Sequence, residues 1–214
     1  MEYKMDNTAY IPSQKEGQQT DTVAERVLDD LQTAQFYFNI AKHRLLDVNN
    51  WHQIGKIEAS VFCLVNERGD KVDSLASVGN YFKIDIPGPG SKAGDGYDWV
   101  KIESIEEIKN EGLDKEALIM KVRPASNPQN EVDDVAHFLK SEATSTFIVA
   151  RQGNKIAAEV HGRNELPNSS VTSLIDKVRN TLIGIGAILG ISILQWKLLT
   201  EGITSLIPNK NDPS

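Results

Sequence analysis

From Leu182 to Leu194 the chain reads Leu-Ile-Gly-Ile-Gly-Ala-Ile-Leu-Gly-Ile-Ser-Ile-Leu, and no charged residue follows until Lys197. A stretch this apolar has only two stable surroundings, lipid or the protein's own interior. A hydrocarbon core about 30 Å thick calls for about 20 apolar residues, whereas runs of about 10–14 more often form buried helices. The uninterrupted run has the length of a buried helix; extended through Trp196 and Lys197 to Leu199, it approaches a membrane span. Trp and a snorkelling Lys suit a lipid–water boundary. Gly186 and Gly190 form a Gly-x-x-x-Gly pair, the spacing that lets two helix backbones approach closely in lipid. In a soluble helix those glycines need another reason, because each costs about 1 kcal/mol relative to Ala. The run therefore predicts a helix over 170–200, with a membrane span over 181–199 and a polar tail over 201–214.

The charge balance narrows the partners. A net charge of −7 argues against general affinity for nucleic acid or anionic lipid. The single cysteine, Cys63, rules out an intramolecular disulfide. The opening residues hold no apolar signal core, so the bulk of the chain is expected in the cytoplasm, associated with a membrane through its last helix.

The rest of the chain reads as one α+β domain over 20–166, behind a polar, aperiodic arm over 1–19 that is expected to be disordered. Thr22-Val-Ala-Glu25 fits a helical capping box. Val23, Val27, Leu31, Ala34, Phe38, Ala41 and Leu45 follow at spacings of four and three, predicting an amphipathic helix that ends near Val48. Trp51 is expected as a core anchor. Strands are predicted over 60–65, 71–78, 81–86, 99–105, 118–122, 146–151 and 155–161, with a short helix over 131–141. Gln152-Gly-Asn154 marks a hairpin turn. Short connections favour antiparallel pairing. The fold class is therefore a curled antiparallel sheet or small β-barrel of about seven strands, flanked by an N-terminal amphipathic helix and a long C-terminal apolar helix.

Two places carry candidate chemistry. The first is the Gly/Pro loop Ile86-Pro-Gly-Pro-Gly-Ser-Lys-Ala-Gly-Asp-Gly-Tyr-Asp-Trp99, whose length points to function and whose binding candidates are Lys92, Asp95, Tyr97, Asp98 and Trp99. Its Gly-Ser-Lys does not make a phosphate loop, which needs Gly-Lys-Ser/Thr opening a helix. The second is His161-Gly-Arg-Asn-Glu165, where Arg163 offers a bidentate grip on an anionic group and His161 a titratable ring. His43, His52 and His137 are scattered, no set has metal-ligand spacing, and no cofactor is implied.

The leading expectation is a non-enzymatic, membrane-anchored interaction protein. Its domain would present the Gly/Pro loop and the His161–Glu165 turn to a protein partner, with homodimer formation through Gly186 and Gly190. The alternative is a soluble domain whose last helix covers the sheet and closes an apolar cavity for a lipid-like or small hydrophobic ligand. A third reading is a hydrolase-type enzyme using His161. A helix after many antiparallel strands resembles the polyketide-cyclase/lipid-transfer helix-grip fold. The helix expected near Val132–Leu139 departs from that order, and no functional residue is carried over.

Overall fold

The computed structural model describes residues 7–57, 60–85, 93–131, 134–168 and 181–213, with the backbone alone for 181–189 and Ile191. The strands are β1 (Gln18–Val27), β2 (Val61–Val65), β3 (Tyr81–Asp85), β4 (Asp98–Asn110), β5 (Lys115–Pro124), β6 (Thr144–Gln152) and β7 (Lys155–Glu165). The helices are α1 (Leu31–Leu46), α2 (Trp51–Ile54) and α3 (Thr181–Ile203). The seven strands form one curled antiparallel sheet in the order β1-β7-β6-β5-β4-β3-β2. Its two edges, β1 and β2, do not pair with each other among the described residues, so the sheet is open rather than a barrel.

Side-chain alternation sets the inner face. Phe62, Phe82, Val100, Val122, Phe147 and Val160 point into the main core, one or more from each of β2 to β7. Onto this face α1 presents Ala34, Phe38, Ala41 and Leu45, spaced as a helix spaces one stripe. Trp51 is fully buried at the centre, its indole N–H donating to the carbonyls of Leu45 (3.0 Å) and Arg44 (3.2 Å). Its ring lies 5.1–5.3 Å from those of Phe62, Phe82 and Phe147. That satisfies both the apolar body and the polar tip of the residue.

The outer face is covered too, which explains why β5 and β6 are apolar almost without alternation. Ala117, Ile119, Ile148, Ala150 and Ala157 are buried there beneath Tyr10 and Ile11 of the N-terminal arm. The arm is thus part of the domain from Asn7 onward and not a disordered extension. Its polar atoms are placed: Asn7 donates to Glu159 (2.6 Å), and the Asn164 amide oxygen accepts from the backbone of Lys15 (2.8 Å).

Three expectations about elements change. The helical stripe does not begin at Val23, because 18–27 is a strand paired with β7. Val23 and Val27 lie on its outer side, 52% and 70% exposed, and their helix-like spacing is incidental. The real N-cap is Asp30, which accepts from the Thr33 N–H (2.8 Å), while the β-branched residues of 20–27 favour the strand. The expected strand over 71–78 reduces to one bridge, Val65 with Lys71. The expected helix over 131–141 is, in its described part, an extended strap. Its backbone bonds run sideways, Ala136 to Ala125 and Lys140 to Leu166, in place of a helical ladder.

The C-terminal run also changes role. Among the described residues, no helix is long and apolar enough to cross a membrane. The end of α3 is core: Leu199 and Ile203 are buried in the main cluster, and Gln195 is buried with its amide on the hydroxyl of Ser60. A side chain at Gly202 would collide with the Ile54 carbonyl, so this glycine lets α3 and α2 touch backbone to backbone. The tail past Ile203 is held as well. Arg44, buried in α1, grips Asp212 at 2.6 Å and donates to the carbonyls of Gly202, Ser205 and Ile207. Its guanidinium thereby serves carbonyls that a helix end leaves without partners.

Candidate functional site

The inner face is not completely filled. A cavity of about 50 Å³ lies between the sheet and α3. One water needs about 10–15 Å³ of such space, so there is room for more than one water-sized group. Phe62, Phe82, Ile84, Val100, Val122 and Phe147 form its sheet side. Ser192, Gln195 and Trp196 close it from α3, and His137, Phe138 and Leu139 of the strap form a wall. The Trp196 ring stands edge-on to Phe147 at 5.3 Å and tilted over Phe62 at 5.9 Å. A larger cleft of about 280 Å³ opens beside Arg44, Leu198 and Gly202, but the Arg44 donors there are already engaged by Asp212 and backbone carbonyls.

Polar groups gather at one corner of the cavity. Ser145 on β6 pairs across the ladder with Gly162 on β7, so both face inward. A side chain at Gly162 would strike the Glu165 carboxyl, which therefore lies over the bare glycine backbone next to Ser145. The strap joins β7 at this end through the Leu139–Pro167 bridge, which brings His137 to the same corner.

The state of each group follows from its surroundings. Glu165 is 7% exposed; its Oε1 accepts from the Thr20 hydroxyl (3.3 Å), and its Oε2 has no partner among the described residues. Burial pushes the carboxyl pKa up, against the Thr20 hydrogen bond and the charge of Arg163, which pull it down. Burial also drives His137 down to about 3, so the ring is neutral. Its Nδ1 accepts from the Leu139 N–H (2.9 Å), which leaves the proton on Nε2.

The residues of the second sequence candidate are split: His161 and Arg163 stay together through Asp21, and Glu165 leaves them. Alternation places His161 and Arg163 on the outer face. There Nδ1 of His161 meets Asp21 (2.6 Å), its Nε2 meets Glu159 (2.8 Å), and Arg163 pairs with Asp21 (2.8 Å). Burial disfavours the imidazolium, but bonding and charge from Glu159 and Asp21 outweigh it and raise the His161 pKa above the ordinary value. Both ring nitrogens are occupied, so the ring has no free site for acid–base work. Glu165 parts from this pair because Asn164 takes a left-handed φ of 56° and the β1–β7 register shifts beside it. That bulge turns the next side chain inward.

The Gly/Pro loop candidates scatter similarly. Lys92 lies outside the described residues. Asp95 accepts from the Asn127 amide (3.0 Å), Tyr97 sits under the Lys83 ammonium (3.9 Å), and Trp99 is buried with its N–H on the Gly94 carbonyl (3.1 Å). Tyr97 and Trp99 join the small cluster on the far side of β2–β4 with Cys63 and Ala136. Asp98 alone faces inward, opposite Ile84 in the ladder, and burial raises its carboxyl to about 7 despite the Phe138 N–H. Of the two glycines proposed for self-association, Gly190 faces open space, and Gly186 belongs to the part of α3 described by backbone alone.

Sequence reasoning missed His137, Ser145 and Gln195 as site residues. Gln195 left a signal, as the first strongly polar residue after the apolar run. Ser145 and His137 left none that separates them from ordinary strand and loop residues.

No known protein family matches this chain, and no curated protein does. Among solved structures, a hypothetical protein from Helicobacter pylori is 11% identical, with a TM-score of 0.46 over 94% of this chain and 95% of its own. Major latex-like protein 151 from Panax ginseng is 14% identical, with a TM-score of 0.36 over 80% of this chain and 97% of its own. Norcoclaurine synthase from Thalictrum flavum is 11% identical, with a TM-score of 0.32 over 86% and 95% respectively. At such identities and scores, none of these likenesses bears on what this chain binds.

Proposed function

We propose that this chain is a binding domain for a small, largely apolar, ring-bearing molecule, taken up between the curled sheet and α3. The observation that carries this reading is the cavity itself. Protein cores fill space to crystal-like density, and here a space lined by Phe62, Phe82, Phe147 and Trp196 is left open. Aromatic walls suit a planar guest, which they contact by stacking or by edge-to-face packing. An apolar pocket with a few placed polar groups is the usual make-up of a small-molecule site; at about 50 Å³ this one is smaller than the roughly 150 Å³ that takes a benzene, so α3 or the strap gives way as the guest enters.

The test uses ethylbenzene as a probe. A guest that binds only the folded chain stabilises it by about 2.7 kcal/mol at a concentration of 100 Kd. For a chain of this size that is a rise in Tm of roughly 5–10 °C. Val122→Phe fills the cavity and should abolish the rise while the variant stays folded. Equal rises in the wild type and a folded Val122→Phe would refute the site.

A further inference from the structure

Resting on that reading, we infer that α3 is the wall that yields to the guest, swinging outward about its anchored end at Gly202 as Gln195 parts from Ser60. At about 50 Å³ the cavity is smaller than its guest, so one wall has to move. The sheet wall is held by the ladders of β2 to β6. That leaves the strap and α3.

The strap is tied by backbone on both flanks. The Ala136 N–H donates to the Ala125 carbonyl (3.0 Å), and the Ala136 carbonyl accepts from the Trp99 N–H (2.8 Å). On the other flank the Lys140 N–H donates to Leu166 (2.9 Å), and the Phe138 carbonyl accepts from the Asn168 N–H (2.8 Å). The Asn168 side-chain amide adds bonds to the carbonyls of Val135 and His137, each 3.2 Å. Moving the strap breaks several of these bonds together, and buried backbone groups are costly to leave unpaired.

The other wall, α3, is held differently. Its C-terminal end is fixed. Leu199 and Ile203 are buried, Gly202 meets the backbone of Ile54, and Arg44 holds the carbonyls of Gly202 and Ser205. The turns that face the cavity, 192–196, carry one side-chain hydrogen bond to the rest of the chain among the described residues. It runs from the Gln195 amide to the Ser60 hydroxyl. Trp196 adds ring contacts with Phe62 and Phe147, which an aromatic guest can replace in kind. Behind these turns Ile193 and Leu194 are exposed, so outward movement meets solvent.

A latch of this kind sets affinity. A guest that takes the open arrangement works against the Gln195–Ser60 bond, and its apparent affinity falls with the fraction of molecules in which that bond is open. Ser60 does not line the cavity. Ser60→Ala therefore weakens the latch with the lining unchanged, and it should tighten guest binding while lowering the stability of the fold. A Ser60 that serves packing alone would give the loss of stability with no gain in affinity.

Calorimetric titration of the full chain with ethylbenzene, beside urea denaturation, tests this. Ser60→Ala should bind about 2- to 10-fold tighter than the wild type, the range that one hydrogen bond contributes. In a Gln195→Leu background the same change should add nothing, because the latch is already gone. Asn168→Ala, which loosens the strap, should leave affinity at the wild-type value. Unchanged or weaker binding by a folded Ser60→Ala overturns the inference, as does a further gain in the Gln195→Leu background. Tightening by Asn168→Ala overturns it in favour of the strap. A measurement on the wild type needs no variant to fold: the side-chain amide protons of Gln195 should exchange with water faster at saturating ethylbenzene. Exchange that is unchanged or slower overturns the inference. Failure of ethylbenzene to bind the wild type would instead overturn the binding reading, and this inference with it.

Discussion

Two residues fix the energetics of the interior more than their neighbours do. Arg44 is a buried cation whose donors are divided between Asp212 and backbone carbonyls at the end of α3. Removing one partner of a buried pair costs about 3–5 kcal/mol, because the other charge stays behind without compensation. Arg44→Ala should lose at least about 3 kcal/mol in urea denaturation, with faster amide exchange over 199–207. A loss below 1 kcal/mol would show that the tail is not held by this contact. Asp98 acts in the opposite sense. Its folded pKa of about 7 stands above that of an unfolded aspartate near 4, so the folded state holds the proton longer. Stability tied to this proton is complete below about pH 4 and is lost as pH rises through 7. Asp98→Asn should match the wild type near pH 4 and exceed it by a few kcal/mol at pH 8. An advantage that does not change with pH would place the carboxyl in water. His137 runs the other way: with its pKa lowered to about 3, the stability it contributes is present above 6.5 and lost as pH falls towards 3.

At the scale of elements, the N-terminal arm and α3 do equivalent work on opposite faces of the sheet. The arm covers Ile119, Ile148 and Ala157, and α3 covers the inner face beside β1 and β7. Burial of apolar area stabilises by about 25 cal/mol per Å², so an arm that shields several side chains contributes a few kcal/mol. Deleting residues 1–17 should lower the denaturation midpoint and raise binding of a hydrophobic dye to the bared outer face. Unchanged stability would mean that the arm merely rests there. This element also shows where the sequence was readable and where it was not. The inner stripe of α1, the Trp51 anchor and the Gly153 hairpin followed from spacing and turn chemistry alone. The arm did not, because its few apolar residues, Tyr10 and Ile11, have no period. β1 was misread because Val23, Val27 and Leu31 happen to repeat at four. Pairing with β7, a partner more than a hundred residues away, decides that segment, and no local pattern records it.

For the whole molecule, an open curled sheet packs against α3, and among the described residues a partly open space lies between them. The apolar run was legible as a helix; the turns that follow it carry Gln195, Leu199 and Ile203 into the protein interior, while Ile193 and Leu194 at its end stay exposed. The candidate site was less legible. Glu165 stood out in the sequence, but in company with His161 and Arg163, from which a single left-handed residue, Asn164, separates it. Phe62, Phe82 and Phe147, which line the cavity from the sheet, were visible as strand residues, while their convergence depends on the register of β2 to β6. The most direct test of the account is methyl-resolved NMR of the full chain titrated with ethylbenzene. The account predicts saturable shifts at Ile84, Val100, Val122 and Leu139, with Ile119 and Ile148 on the outer face unmoved. Shifts led by Ile119 and Ile148, or none at the cavity methyls at saturating probe, would contradict it.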